Sequence, residues 1–264
     1  MDWLVKLGSL LALSVLAADS IATGAGPGGQ QKDLTFKIEV PLEFKGRVIS
    51  GTLRKSEVPE LLELPVRNGN SDLKEGYGVE MTTPNHEKLM VYTCREWKKA
   101  LSEGAYSATT FDMAMERFLI HTCGLLFELQ NANLPTKSFI ANPRVSLANL
   151  NLLPAGILLA LPEDETPSER LRTMTVAEAV PKRNIERTTD EKLMLSYGGM
   201  QQSFREAARA DFNGDGIEDI LIFRGAVAEG GTMGYADYFV LTRTRPTGRL
   251  KLIETSEPLQ KPDN

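Results

Sequence analysis

Residues 209–224 read RADFNGDGIEDILIFR, and this block restricts the fold more than any other part of the chain. Asp211, Asn213, Asp215 and Asp219 stand at positions 1, 3, 5 and 9 of a loop, with Gly216 at position 6. Three carboxylates held this closely repel one another unless a cation sits among them. Hard cations take six to eight oxygen ligands at about 2.4 Å, and alternate residues of a tight loop can converge on one point. Gly216 supplies the sharp turn, Ile217 at position 7 offers its backbone carbonyl, and residues 220–223 read as a strand. Calcium suits such a set better than magnesium, which demands a stricter octahedron and keeps its waters. A metal-free turn is the other reading, because Asp, Asn and Gly favour turns in any case.

An EF-hand loop carries Glu at position 12 between two helices; here that position is Ile222 and a strand follows. The block instead resembles the calcium loop of FG-GAP and VCBS-type repeats, the integrin-like Asp-x-Asn-x-Asp-Gly-x-x-Asp pattern that precedes a β-strand. The resemblance covers about 15 residues. It implies Asp211, Asn213, Asp215 and Asp219 as side-chain ligands of one Ca2+ and Ile217 as a carbonyl ligand, with the ion as a structural staple. Such families stack several repeats into propellers of about four to eight blades, whereas this chain carries one copy. The C-terminal part also resembles exported bacterial proteins with a single such loop. Without Glu at position 12, affinity is expected in the weak extracellular range, about 10⁻⁴ to 10⁻³ M.

The N-terminus carries a second constraint. Residues 7–18 are apolar apart from Ser9 and Ser14, too short for a membrane span, which needs about 20 residues, but suited to the core of a secretory signal. Small residues place cleavage after Ala17, Ala22 or Ala25; a buried N-terminal helix is the alternative. Residues 1–22 are therefore read as a signal peptide and 23–33 (TGAGPGGQQKD) as a flexible lead-in. No other apolar stretch is long enough to span a bilayer, so a periplasmic or secreted protein without a transmembrane segment is expected. In an oxidising compartment Cys94 and Cys123, the only cysteines, are expected to pair. A reactive Cys94 thiol at a helix start is the competing reading.

Along the rest of the chain the hydrophobic period changes twice. Leu34, Phe36, Ile38 and Val40 alternate with polar residues, and a second strand at 47–53 completes a hairpin. Residues 56–78, with Asn68-Gly69-Asn70, read as mostly loop. Thr93-Cys94-Arg95-Glu96 is a capping box with Gly104 as stop, and Thr109 to Asp112 form a second box. The second opens the longest predicted helix, residues 111–130, with an apolar stripe of Phe111, Met115, Phe118, Leu126 and Leu129. Another helix is expected from Thr166-Pro167-Ser168-Glu169 to Pro181. From residue 184 the pattern becomes short strands and turns, an antiparallel meander. The expected fold is thus α+β: a disulfide-tied region at 34–181, a β region with the calcium loop at 182–258, and a tail at 259–264, in one interlocked body or two domains.

A charge of −5, or −4 once residues 1–22 are removed, leaves no basic field for nucleic acid. The sequence has no Gly-x-Ser-x-Gly elbow, no P-loop and no Gly-x-Gly-x-x-Gly after a strand. His86-Glu87 begins like a zinc-protease motif, but Met90 stands where the second His is required. His121-Thr122-Cys123 offers two metal ligands only if Cys123 is reduced. The Gly230-Gly231-Thr232-Met233-Gly234 loop reads as a hairpin connection, and Arg243, Arg245 and Arg249 as a solvated sheet edge with anion binding as the alternative. The leading expectation is an exported, calcium-stabilised, non-enzymatic module for a protein or glycan partner; the alternative is an envelope hydrolase with His121 or His86 as base.

Overall fold

The computed structural model describes residues 33–67, 76–161, 168–231 and 233–253. The expected signal peptide, nearly all of the lead-in, Asn68-Gly69-Asn70, Thr166-Pro167, Thr232 and the tail lie outside the described residues. Strands β1 (Thr35–Phe44) and β2 (Arg47–Arg54) form the expected antiparallel hairpin, turning at Gly46 with φ +76°. Phe36, Ile38, Leu42 and Phe44 all face the core. Their parity survives a register shift between Ile38 and Leu42, where Pro41 has no N–H to give to a partner strand.

A short helix α1 (Val58–Leu61) interrupts the stretch read as loop. Strands β3 (Val79–Thr82) and β4 (Lys88–Val91) then make a second hairpin. Helix α2 (Cys94–Ser102) starts at the expected capping box: Glu96 N–H donates to the Thr93 hydroxyl at 3.2 Å, and Thr93 N–H donates to the Glu96 carboxylate at 3.0 Å. Helix α3 (Thr110–Leu119) opens on the equivalent Thr109–Asp112 box.

The long helix is not continuous. A π-helical turn spans Ile120–Gly124, and α4 (Leu125–Asn131) follows it. A π turn carries an extra residue, so the buried face rotates across it. Phe111 and Phe118 are consequently exposed at 58% and 42%, while Leu119, Leu126 and Leu129 are buried. Before the turn only Met115 of the predicted stripe packs on the core; after it Leu126 and Leu129 both do. The same turn points Cys123 at Cys94, the first residue of α2, and the two are disulfide-bonded. Both sulfurs are thereby consumed, which removes the reactive-thiol reading of Cys94. Closing the 29-residue separation stabilises by about 3–4 kcal/mol in the chain-entropy picture.

The helix expected to end at Pro181 is two short ones, α5 (Ser168–Thr173) and α6 (Val176–Ala179). Thr175, buried between them, starts the second with a capping box to Glu178. Strands β5 (Ile185–Thr188), β6 (Lys192–Tyr197), β7 (Met200–Ala210), β8 (Asp219–Ala228), β9 (Gly234–Thr242) and β10 (Lys251–Ile253) then form an antiparallel meander with neighbours in sequence order.

This sheet is covered on both faces. Leu221, Tyr238 and Val240 pack on the β1–β2 hairpin and the helices; Phe204, Ile220, Ile222, Phe239 and Leu241 pack on residues 140–158 and 171–180. A bulge between Glu206 and Ala208 reverses the parity of β7, so Phe204 faces one layer whereas Ala208 and Ala210 face the other. The described residues belong to one compact unit, and the composition change near residue 182 falls inside it. The fold is α+β with an antiparallel C-terminal sheet. Replacing Phe204, wholly buried, with alanine is expected to cost about 3–5 kcal/mol. Phe111→Ala should stay within about 0.5 kcal/mol. Urea denaturation of both variants checks which face of each element is buried.

Candidate metal centre

The loop between β7 and β8 is built from both sides. Outside it, the segment following α4 runs alongside through two isolated bridges, antiparallel at Asn133–Asp211 and parallel at Lys137–Ile217. Asn133 and Asp211 exchange backbone hydrogen bonds at 2.7 and 3.0 Å, and Glu218 N–H donates to the Lys137 carbonyl at 2.8 Å. The Gly216 carbonyl accepts from Thr136 N–H, Lys137 N–H and the Thr136 hydroxyl, at 2.9, 3.1 and 3.0 Å. The Ser138 hydroxyl donates to the Glu218 carboxylate at 2.6 Å.

Inside, side chains hold the backbone. Asp211, 3% exposed, accepts from Gly214 N–H at 2.7 Å and Gly216 N–H at 3.0 Å. Asn213 Oδ1 accepts from Asp215 N–H at 3.0 Å, and Asp215 accepts from Ile217 N–H at 2.8 Å. Gly214 and Gly216 both have φ +80°, and a Cβ on Gly216 would also sit 3.1 Å from the Thr136 hydroxyl. Glycine is required there on both counts.

Asp219 differs from the rest. It is wholly buried at the start of β8; Oδ2 accepts from Phe212 N–H at 3.1 Å, and among the described residues Oδ1 has no hydrogen-bond partner. Burial pushes its carboxyl above the ordinary range, and the charges of Asp215 and Asp211 add to the rise. Phe212 N–H and the nearby Thr242 hydroxyl pull it partly back. The Thr242 hydroxyl, the stronger of these two influences, is directed at this carboxyl but stops short of a full hydrogen bond, and among the described residues it has no other partner.

The loop therefore gathers Asp211, Asn213, Asp215, Ile217 and Asp219 on one short arc. Yet among the described residues no three His, Cys, Asp or Glu side chains converge closely enough to hold a metal. Asp211 and Asp215 turn their oxygens toward backbone N–H groups instead. The donor types suit a hard cation, and the orphaned Asp219 oxygen is the acceptor such an ion would satisfy. The flanking segment engages the carbonyl of Gly216, one residue before Ile217.

The remaining candidates are dispersed. His121 lies in the π turn, edge-on to Phe223 with ring centroids 5.2 Å apart. Burial, and then the charge of Arg205, push it down to about 4, whereas a general base works best with a pKa near the operating pH. Among the described residues no hydroxyl, thiol or carboxylate hydrogen-bonds its ring. His86 is exposed in the β3–β4 turn at φ +63°. In the glycine-rich connection, Gly234 leaves room for the Arg117 guanidinium of α3. Arg243 departs from the expected solvated edge: it is 6% exposed and donates to the Gly248 and Phe139 carbonyls at 2.7 and 3.1 Å.

One buried polar group escaped the sequence reading. Arg224, 8% exposed in β8, donates from Nε to Asp237 at 2.9 Å and from Nη1 to the Ile157 carbonyl at 2.5 Å, with Tyr235 and Phe239 rings each 5.4 Å away. An arginine within the otherwise apolar run at residues 220–228 was the available signal. Compared with known proteins, the chain matches no protein-family model, no curated protein and no solved structure.

The raised Asp219 carboxyl has a signed consequence. Below the ordinary aspartate pKa of about 3.9 the group is protonated folded or unfolded and costs nothing. As pH rises through its higher folded value, ionisation is disfavoured in the folded state and stability falls. In chelator, the urea midpoint of the wild type is expected to drop relative to Asp219→Asn between about pH 4 and pH 7, with the gap greatest at neutral pH. Parallel midpoints across that range would contradict the assignment.

Proposed function

We propose that the protein is an exported, calcium-stapled binding module that engages a protein or glycan partner rather than performing catalysis. Asp219 carries this reading: a wholly buried carboxylate with one oxygen unpartnered among the described residues, beside two further aspartates of the same loop. Leaving a buried acceptor unpaired is costly, and a divalent cation would both satisfy the oxygen and offset the crowded charge. Asp211, Asn213, Asp215 and Asp219 would supply side-chain oxygens and Ile217 a carbonyl. The ion would lock the β7–β8 loop against residues 133–138, and through it the end of the long helix to the sheet. The Cys94–Cys123 bond accords with an oxidising compartment, as does the signal-like N-terminus.

Thermal melting with calcium and with chelator tests the proposal. With a Kd of about 10⁻⁴ to 10⁻³ M, 10 mM calcium stabilises by about 1.4–2.7 kcal/mol, a rise in Tm of roughly 3–10 °C for a domain of this size. Asp215→Ala and Asp219→Asn are each expected to abolish the rise. Equal melting temperatures with calcium and with excess chelator would end the calcium reading.

A further inference from the structure

After β9 the chain leaves the sheet through residues 243–250 and returns as β10. This excursion and the turn at residues 172–174 border a cleft of about 400 Å³, within the range of about 300–1,000 Å³ usual for small-molecule sites. Its wall carries Arg172, Arg245, Arg249 and Lys251, with Thr247 and Gly248 between them, and among the described residues no aspartate or glutamate. On a chain of net charge −5, four cations facing one concavity focus a local positive potential that the overall balance conceals.

Several contacts keep these charges together. A Cβ on Gly248 would stand 3.0 Å from Arg245 Cγ and 3.4 Å from its Nε, so the Arg245 side chain lies across the bare glycine. Arg249 is steadied from the other side, its Nη1 donating to the Thr173 carbonyl and its Nη2 to Glu178, at 3.3 and 3.4 Å. Beneath them the buried Arg243 braces the excursion through the Gly248 and Phe139 carbonyls. Both of its partners are neutral, so its charge adds to the field. Glu178, half-exposed beside Arg249, is the acidic group opposing it there.

We propose that this cleft binds a phosphorylated small molecule of about sugar size, with the guanidinium groups of Arg245 and Arg249 taking the phosphate. Guanidinium presents paired N–H donors that match phosphate oxygens. Arg172 and Lys251 add charge, and the Thr247 hydroxyl offers a neutral partner for sugar hydroxyls. The site does not depend on the calcium loop and stands or falls separately from it.

Calorimetric titration of the protein with glucose 6-phosphate, inorganic phosphate and glucose tests the proposal. Glucose 6-phosphate is expected to saturate one site per chain, and glucose to give no saturable heat. The Arg245→Ala/Arg249→Ala double variant should bind at least about tenfold more weakly, the scale of one lost charge-assisted hydrogen bond. Gly248→Ala retains every charge but displaces Arg245, and should weaken binding several-fold. Because Arg245 and Arg249 are exposed, the double variant should melt within about 2 °C of the wild type, which separates loss of binding from loss of fold. Four results would overturn the proposal: no saturation by either phosphate, unchanged affinity in the double variant, glucose binding as tightly as its phosphate, or inorganic phosphate binding while glucose 6-phosphate is excluded.

Discussion

Strand β8 runs through the sheet with protein on both faces, and that burial governs much of what surrounds it. Ile220 and Ile222 face one layer, Leu221 and Phe223 the other, so a polar group on either side must bring its partner with it. Arg224 does so, through Asp237 and the Ile157 carbonyl. Asp219, at the first position of the strand, satisfies only one of its two oxygens within the described structure. The β7–β8 loop is where this sheet concentrates its unsettled charge.

The same double burial explains why the described residues between 140 and 180 need little regular structure. Their task is to cover one face of the sheet, and irregular backbone suffices where side chains and sheet edges satisfy its polar groups. Gln202 shows this, receiving the Leu159 N–H and donating to the Leu159 carbonyl at 3.0 and 2.7 Å. Arg209 likewise donates to the carbonyls of Ile140 and Val145. On the opposite face the disulfide joins α2 to the π turn, beneath which Tyr238 donates to the His121 carbonyl at 2.8 Å.

Much of this architecture was legible from local chemistry. Period-two alternation marked β1, capping boxes marked α2 and α3, and two cysteines in a chain read as exported indicated their own pairing. What escaped were features that change parity. The bulge beyond Glu206 and the π turn at residues 120–124 each insert a residue and transfer a stripe to another face, and neither leaves a composition signal. Phe111 and Phe118 were therefore read as core. The β3–β4 hairpin was missed because its alternation is brief and ends at the exposed His86 turn. In the loop, spacing identified the oxygen-bearing residues; it said nothing of Asn133, Thr136 or Ser138, about 80 positions away, or of which carboxylate would be buried. Arg243 and Arg245 lie two apart in sequence, but only the fold separates a buried brace from a side chain lining the cleft.

Calorimetric calcium titration at two pH values, in buffers of different ionisation enthalpy, addresses directly whether a cation relieves the buried Asp219 carboxylate. Because the Asp219 carboxyl is raised above the ordinary aspartate range, calcium binding is expected to release more protons at the lower pH, nearer the ordinary aspartate pKa of about 3.9, than at the higher. Saturation at one ion per chain with that pH dependence, absent in Asp219→Asn, is the predicted result. The absence of saturable calcium binding at either pH, or binding that Asp219→Asn leaves unchanged, would contradict it.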